Sequence, residues 1–87
     1  MADRGSPDTV NCIKGRFVAI EYKKDEAEWR SWWRDAERIK QGLSPLDDRV
    51  EGQYMQKCMI EEAGGIYIVA YSNEQLESEL RRYNLID

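Results

Sequence analysis

Phe17–Lys24 reads FVAIEYKK, and this stretch decides the fold because it is apolar at its start and charged at its end. Strand residues alternate between the two faces of a sheet, so Glu21 and Lys23 share one face, while Val18 and Ile20 line the other. An unpaired charge inside a core is expensive. The stretch therefore predicts a buried strand that presents a carboxylate and an amine where it leaves the core.

A second apolar run begins just after Asp8, and Lys14-Gly15 is suited to the tight turn of a hairpin. Pairing Thr9–Ile13 with Arg16–Ile20 brings Asp8 to the same end of the sheet as Glu21. Two acids and a lysine then meet at one sheet end. These groups are the minimum set for metal-assisted cleavage of a phosphodiester.

The rest of the chain predicts three helices and one further strand. Capping residues, helix-ending residues and the spacing of apolar residues predict these elements. They are a helix at Asp25–Gln41 capped by Asp25, a helix at Pro45–Ala63 capped by Ser44, an apolar interior strand at Ile66–Tyr71, and a last helix capped by Ser72. A helical crossover between the two apolar strands implies a parallel, right-handed connection. The predicted fold is therefore α/β, with a mixed sheet flanked by helices.

Three tryptophans lie within five positions of the first helix, at Trp29, Trp32 and Trp33. Aromatic residues at helical spacing usually pack in the core, against the sheet. Tryptophan is also enriched at protein interfaces, and it can stack on nucleic-acid bases. The sequence favours the core and leaves the other two roles open.

The ordered set of motifs resembles the VRR-NUC nucleases, a branch of the PD-(D/E)XK superfamily with the restriction-endonuclease-like fold. The resemblance rests on Gly5-Ser6-Pro7-Asp8, on Gly15 to Lys23 (GRFVAIEYK), on Gln53 and on Gly64-Gly65, and it extends to about Ser72. Two departures stand out. Family members usually carry a helix before the Pro-Asp motif, where this chain has an extended lead-in, Met1–Pro7, with Asp3 as a partial substitute. The middle segment, with its Trp-rich helix, is longer than usual and reads as an insert.

The resemblance implies a catalytic set of Asp8, Glu21, Lys23 and Gln53. Asp8, Glu21 and the backbone carbonyl of Tyr22 would bind Mg²⁺ or Mn²⁺, which takes oxygen ligands. Lys23 would orient or deprotonate water, and Gln53 would position that lysine or the water. Each residue also has a plainer interpretation: Asp8 as a turn residue, Lys23 as a surface partner of Glu21, and Gln53 as an exposed helical residue.

The implied function is a metal-dependent DNA endonuclease of the stand-alone phage type, acting on branched DNA such as Holliday junctions as a homodimer. Lys24, Lys14, Arg16 and Lys57 are weaker candidates for DNA contacts. The net charge of −4 counts against duplex binding through the overall field. The alternative is a catalytically inactive nuclease-fold module that binds another protein.

The bulk composition predicts one globular domain, 1–87, with a modest core. No apolar run is long enough to span a bilayer and no signal peptide is visible, so we expect a cytoplasmic protein of a bacterial or phage-infected cell. Cys12 and Cys58 lie in apolar patterns and are expected to be buried thiols. The absence of histidine excludes Ser-His triads and histidine-ligated metals.

Overall fold

The computed structural model of the protein describes residues 7–87, which fold into three strands and three helices. The elements are β1 (Thr9–Ile13), β2 (Arg16–Tyr22), α1 (Glu26–Lys40), α2 (Asp48–Glu62), β3 (Ile66–Ala70) and α3 (Asn73–Arg82). This order agrees with the predicted one. The motif residues Gly5-Ser6, the lead-in before Pro7 and Asp3 lie outside the described residues.

The three strands form a mixed sheet in the order β1-β2-β3. β1 and β2 are antiparallel with Thr9 opposite Ile20, which is the predicted hairpin register. Lys14 and Gly15 both have positive φ, 51° and 77°, as a two-residue turn between twisted strands requires. β3 lies parallel to β2, with Val18 opposite Ile66. The sheet is thus the mixed α/β arrangement that the sequence predicted.

Helices cover the sheet on both faces. One face packs Val18, Ile20, Ile66, Ile68 and Ala70 against Leu85 and the α3 side chains Leu76 and Leu80. The opposite face packs Ala19, Tyr67 and Val69 against Trp32, Ala36 and Val50 of α1 and α2. The division of β2 between the two faces is the predicted one. Glu21 therefore lies on the side of the sheet that α1 and α2 cover.

β3 is buried throughout although, among the described residues, it lies at the edge of the sheet. It ends at Ala70, one residue earlier than predicted, and it is not the interior strand that its apolar faces indicated. The indole nitrogen of Trp29 donates a hydrogen bond to the carbonyl of Val69 over 2.9 Å. A side chain of α1 thus satisfies a β3 backbone group where a neighbouring strand would otherwise do so.

Two of the three predicted helix starts are confirmed, and one is wrong. Asp25 and Ser72 cap α1 and α3 as expected, but α2 begins at Asp48 with Asp47 as its cap, and not at Pro45 with Ser44. The fully buried carboxylate of Asp35 accepts hydrogen bonds from the backbone nitrogens of Leu46 and Asp47, over 3.0 and 3.1 Å. These hydrogen bonds keep Leu46 and Asp47 out of the helix, which begins at Asp48.

The expectation that Cys12 and Cys58 are buried is wrong, because both thiols are exposed. Cys12 lies opposite Phe17, which is itself 48% exposed, so the helices leave this part of the sheet open.

The core prediction for the tryptophans holds for Trp32, which is buried, and in part for Trp29. Trp33 is 40% exposed.

Within residues 7–87 we find no helix with the length and apolar character needed to cross a membrane.

Candidate functional site

Asp8 and Glu21 meet at the end of the sheet where β2 leaves the core. The Oδ2 atom of Asp8 accepts a hydrogen bond from the backbone nitrogen of Tyr22 over 2.7 Å, which anchors the aspartate beside the strand. Glu21 is only 4% exposed. The hairpin register places both acids on the same sheet face, because Asp8 precedes Thr9, which lies opposite Ile20. The predicted convergence of the two carboxylates is thus present.

The environment of Glu21 favours its protonated form. Burial is the largest cause, and the hydrogen bond and negative charge of Asp8 add to it, while the positive charge of Lys23 acts in the opposite direction. Together they raise the pKa of Glu21 from 4.5 to about 8. A carboxyl group at the end of a strand whose pKa is raised this far is a candidate for a functional site.

Lys23 bonds to Gln53 and not to Glu21. Its Nζ atom donates a hydrogen bond to Oε1 of Gln53 over 3.2 Å, and the indole nitrogen of Trp32 donates to the same oxygen over 2.6 Å. Because both donors converge on Oε1, the amide nitrogen of Gln53 must point away from them. Helices α1 and α2 therefore fix the position of the lysine on the sheet face that carries Glu21.

The backbone carbonyl of Tyr22 is oriented toward the aspartate side of the site. The nitrogen of Lys23 donates to the carbonyl of Ala70 in β3, so the backbone groups of Tyr22 point to the opposite side of the strand, where its nitrogen meets Asp8. In a strand, the N–H and C=O groups of one residue point in the same direction. This orientation suits the predicted ligand role of the Tyr22 carbonyl, which stays a prediction.

The donor set fits a hard divalent cation. Among residues 7–87 there is no cluster of three or more acidic, cysteine or histidine ligands. Mg²⁺ does not require one, because it is commonly held by one or two carboxylates together with waters and substrate phosphate. Asp8, Glu21 and one backbone carbonyl match that requirement, and they contain no soft ligand that would favour other metals.

Of the weaker candidates for DNA contacts, Lys24 follows β2 at the end of the strand that carries Glu21, and two others lie at the opposite end. Lys14 and Arg16 sit at the hairpin turn, at the far end of β2 from Glu21. Arg16 and Glu21 are five positions apart in β2, and at about 3.3 Å per position this amounts to roughly 16 Å. The ammonium of Lys14 also lies 3.9 Å from the side-chain carboxylate of Asp87. The structure therefore leaves Lys24 as the exposed lysine next to the candidate site.

Lys57 is also engaged elsewhere. Its ammonium bonds to Glu61 over 2.8 Å and lies 5.9 Å from the ring centroid of Trp33, and its side chain is only 17% exposed.

Gly64 and Gly65 have the structural role expected of a helix stop. Gly64 has a φ of +88°, and a Cβ on Gly65 would lie 2.8 Å from the side chain of Ile60.

Sequence reasoning missed two groups on the same face as Glu21. Trp32 was predicted as a core residue, and helical spacing carries no information on where its indole N–H points. Tyr67 was placed only on one face of an apolar strand. The signal that could have found Tyr67 is the alternation of β3 combined with its parallel register to β2, which sets Tyr67 opposite Ala19.

Comparisons with protein-family models, with curated proteins and with solved structures gave no match.

Proposed function

We propose that the chain is a metal-dependent DNA endonuclease of the VRR-NUC type, with a minimal form of the restriction-endonuclease-like fold. One observation carries the proposal: the hairpin brings Asp8 to Glu21, and Lys23 lies on the same sheet face as the glutamate. A buried carboxylate next to another acid is costly unless a positive group offsets it. A site for a divalent cation gives a physical reason for retaining both acids.

Asp8, Glu21 and the Tyr22 carbonyl would hold Mg²⁺ or Mn²⁺, which when bound supplies charge stabilisation for phosphoryl oxygens and activates water. Lys23 would contact the water or the phosphate, because its flexible stem carries a compact charge with three donors. Gln53 accepts a hydrogen bond from Lys23 and so limits the positions of that charge. The preorganised lysine is thus the contribution of the helical layer to catalysis.

The proposed substrate is branched DNA and the proposed assembly is a homodimer, both in line with the resemblance to VRR-NUC nucleases. Among the described residues β1 is an edge strand, and it is the surface that best suits a second copy. Thr9–Cys12 are exposed, and the strand contains no proline or lysine to prevent edge pairing. Asp8 precedes the strand and Lys14 follows it, so antiparallel pairing with a second copy sets opposite charges against each other.

Cleavage of labelled four-way junction and linear duplex, with and without Mg²⁺ or Mn²⁺, tests the proposed activity. We expect metal-dependent cutting of the junction by the wild type and none by Glu21→Gln. Glu62→Gln removes an exposed carboxylate at the end of α2 and should cut normally. Folded wild-type protein that leaves both substrates intact with either metal would overturn the proposal and favour the protein-binding module.

Light scattering during size-exclusion chromatography tests the assembly separately. Val10→Lys introduces a charge on the exposed face of β1, and we expect it to shift the protein from dimer to monomer. Leu46→Lys is the matched control, because Leu46 is also exposed but lies outside the sheet. A monomeric wild type, or a dimer that Val10→Lys does not weaken, would contradict the β1 interface.

A further inference from the structure

Tyr67 carries a buried hydroxyl with no hydrogen-bond partner among the residues that the structure describes. The residue is 2% exposed and is the second residue of β3. A buried polar group without a partner costs on the order of 1–3 kcal/mol, and most such groups in proteins are satisfied. Phenylalanine would fill the same space without this cost. Packing of the apolar core alone therefore does not explain the presence of the hydroxyl.

Tyr67 lies on the sheet face that carries the two acids of the candidate site. The ring stacks on Trp32 with centroids 6.3 Å apart and an angle of 19° between the planes. Tyr67 is opposite Ala19, so its side chain shares the sheet face of Glu21. Burial raises the pKa of Tyr67, and the negative charges of Glu21 and Asp8 raise it further. The charges that act on the hydroxyl are thus those of the candidate site.

Of the two acids, Glu21 is the better acceptor for this hydroxyl. Asp8 is already anchored, because its Oδ2 atom accepts the backbone N–H of Tyr22. Glu21 shares the buried layer with Tyr67, and its longer side chain can turn about more bonds than that of the aspartate. Carboxylates that bind metals generally accept a hydrogen bond from a further residue, which fixes their orientation.

We propose that Tyr67 is a positioning residue, whose hydroxyl donates a hydrogen bond to the Glu21 carboxylate when that carboxylate faces a divalent cation. The inference rests on the cation site of the proposed function. The stacked ring of Trp32 holds the phenol in place, so the hydrogen bond selects one orientation of Glu21. Tyr67 acts through Glu21 and does not contact the substrate.

Mn²⁺ binding to Tyr67→Phe, measured by isothermal titration calorimetry, tests the proposal without any DNA. The substitution keeps the ring and its stacking on Trp32, so the melting temperature without cations should be unchanged or slightly higher. We expect the affinity for Mn²⁺ to fall ten- to hundred-fold, which is the usual effect of removing a residue that orients a ligand. Tyr54→Phe removes a hydroxyl from α2 and should bind Mn²⁺ as the wild type does.

A second readout is spectroscopic. Titration with Mg²⁺ should perturb the near-ultraviolet absorption of a tyrosine, and Tyr67→Phe should abolish that change. Equal Mn²⁺ affinity of wild type and Tyr67→Phe, or no tyrosine signal in the wild type, would overturn the proposal. Wild-type protein that binds Mn²⁺ but cuts no DNA would refute the nuclease and leave the Tyr67 result valid. Wild-type protein that binds no Mn²⁺ would overturn both.

Discussion

The ammonium of Lys23 donates a hydrogen bond to Oε1 of Gln53 over 3.2 Å, although 30 positions separate the two residues in the chain. The bond joins the end of β2 to the middle of α2. It places the glutamine in contact with the lysine that the motif singled out, and it distinguishes this lysine from Lys24, which lies exposed beside it.

The Lys23–Gln53 contact predicts a loss of activity without a loss of metal binding. Gln53→Ala leaves Lys23 free to adopt many orientations, so we expect kcat for junction cleavage to fall about ten- to hundred-fold. The Mn²⁺ affinity should stay within about two-fold of the wild type, because both acids remain. Gln56→Ala on the same helix is the control and should retain full kcat. Equal kcat values for the two variants would show that Gln53 does not position the lysine.

Trp32 should act on the same lysine through Gln53, because its indole nitrogen donates to Oε1 over 2.6 Å. Trp32→Phe keeps an aromatic ring in the core but removes this donor. In a double-mutant cycle, Trp32→Phe and Gln53→Ala should be strongly non-additive in kcat, since each removes part of one network. Additive effects would mean that Trp32 contributes through packing alone.

The raised pKa of Glu21 predicts that the protein without divalent cations loses stability as the pH rises. Between its ordinary value of 4.5 and about 8, the folded chain holds a proton that the unfolded chain has released. The contribution to stability is therefore complete below pH 4.5, declines across this range, and is lost above about pH 8. At about 1.4 kcal/mol per pKa unit, the total decline is on the order of a few kcal/mol.

Urea denaturation in a chelating buffer at several pH values measures this decline. Glu21→Gln carries no titrating group at this position, so its free energy of unfolding should lack the decline between pH 4.5 and 8. The variant should exceed the wild type in stability at pH 8. If the free energies of unfolding of the two proteins changed with pH in parallel, Glu21 would not be protonated in the folded state.

Asp8→Asn separates the causes of the Glu21 shift. The substitution removes the negative charge that raises the pKa of Glu21, so this pKa should fall from about 8. It should remain above 4.5 because burial, the largest cause, is unchanged. The chemical shift of the Glu21 carboxyl carbon, followed by NMR across pH, measures the value directly. An unchanged pKa would mean that the two acids do not interact.

The hairpin and its consequence for the site were predictable from local signals. The alternation of Phe17–Lys24 and the turn residues Lys14-Gly15 fix a register, and the register alone brings Asp8 to Glu21. The start of α2 was not predictable in this way. It depends on the carboxylate of Asp35, which binds backbone nitrogens 11 and 12 positions away. A serine followed by a proline is the stronger local signal, and the tertiary contact overrides it.

The proposed roles of Tyr67 and Trp32 could not be predicted because each depends on where one atom of a large ring points. Period-two alternation assigns Tyr67 to a face, but the face that it shares with Glu21 follows from the parallel pairing of β3 with β2. Helical spacing likewise buries Trp32 without orienting its indole nitrogen. The exposure of Cys12 follows from how far the helices extend over the sheet, which the sequence pattern does not specify.

Asp35 should be essential to the stability of the fold. Asp35→Ala removes the acceptor for two backbone nitrogens and the partner of Arg34, 3.2 Å away, so we expect a loss of about 3 kcal/mol. Asp48→Ala removes an exposed acid from the first turn of α2 and should cost about 0.5 kcal/mol. Urea denaturation measures both. A loss for Asp35→Ala no larger than that for Asp48→Ala would contradict the role of this carboxylate.

Under the proposed function, the placement of the basic residues predicts which of them would contact DNA. Lys24 is exposed and follows β2 at the end of the strand that carries Glu21, whereas Lys14 and Arg16 occupy the hairpin turn at the other end of β2. Fluorescence anisotropy with a labelled four-way junction, on proteins that also carry Glu21→Gln to prevent cleavage, measures the affinity across salt concentrations. Lys24→Ala should weaken binding and reduce the salt slope by about 1, because one phosphate contact is lost.

Lys14→Ala and Arg16→Ala are the matched comparison, since each removes one positive charge, as Lys24→Ala does. A general effect of net charge would weaken binding equally in all three variants, whereas a contact next to the site affects Lys24 alone. We therefore expect the Kd and the salt slope of the two turn variants to match those of the parent protein. A larger effect at Lys14 or Arg16 than at Lys24 would place the DNA along the hairpin and away from Asp8 and Glu21.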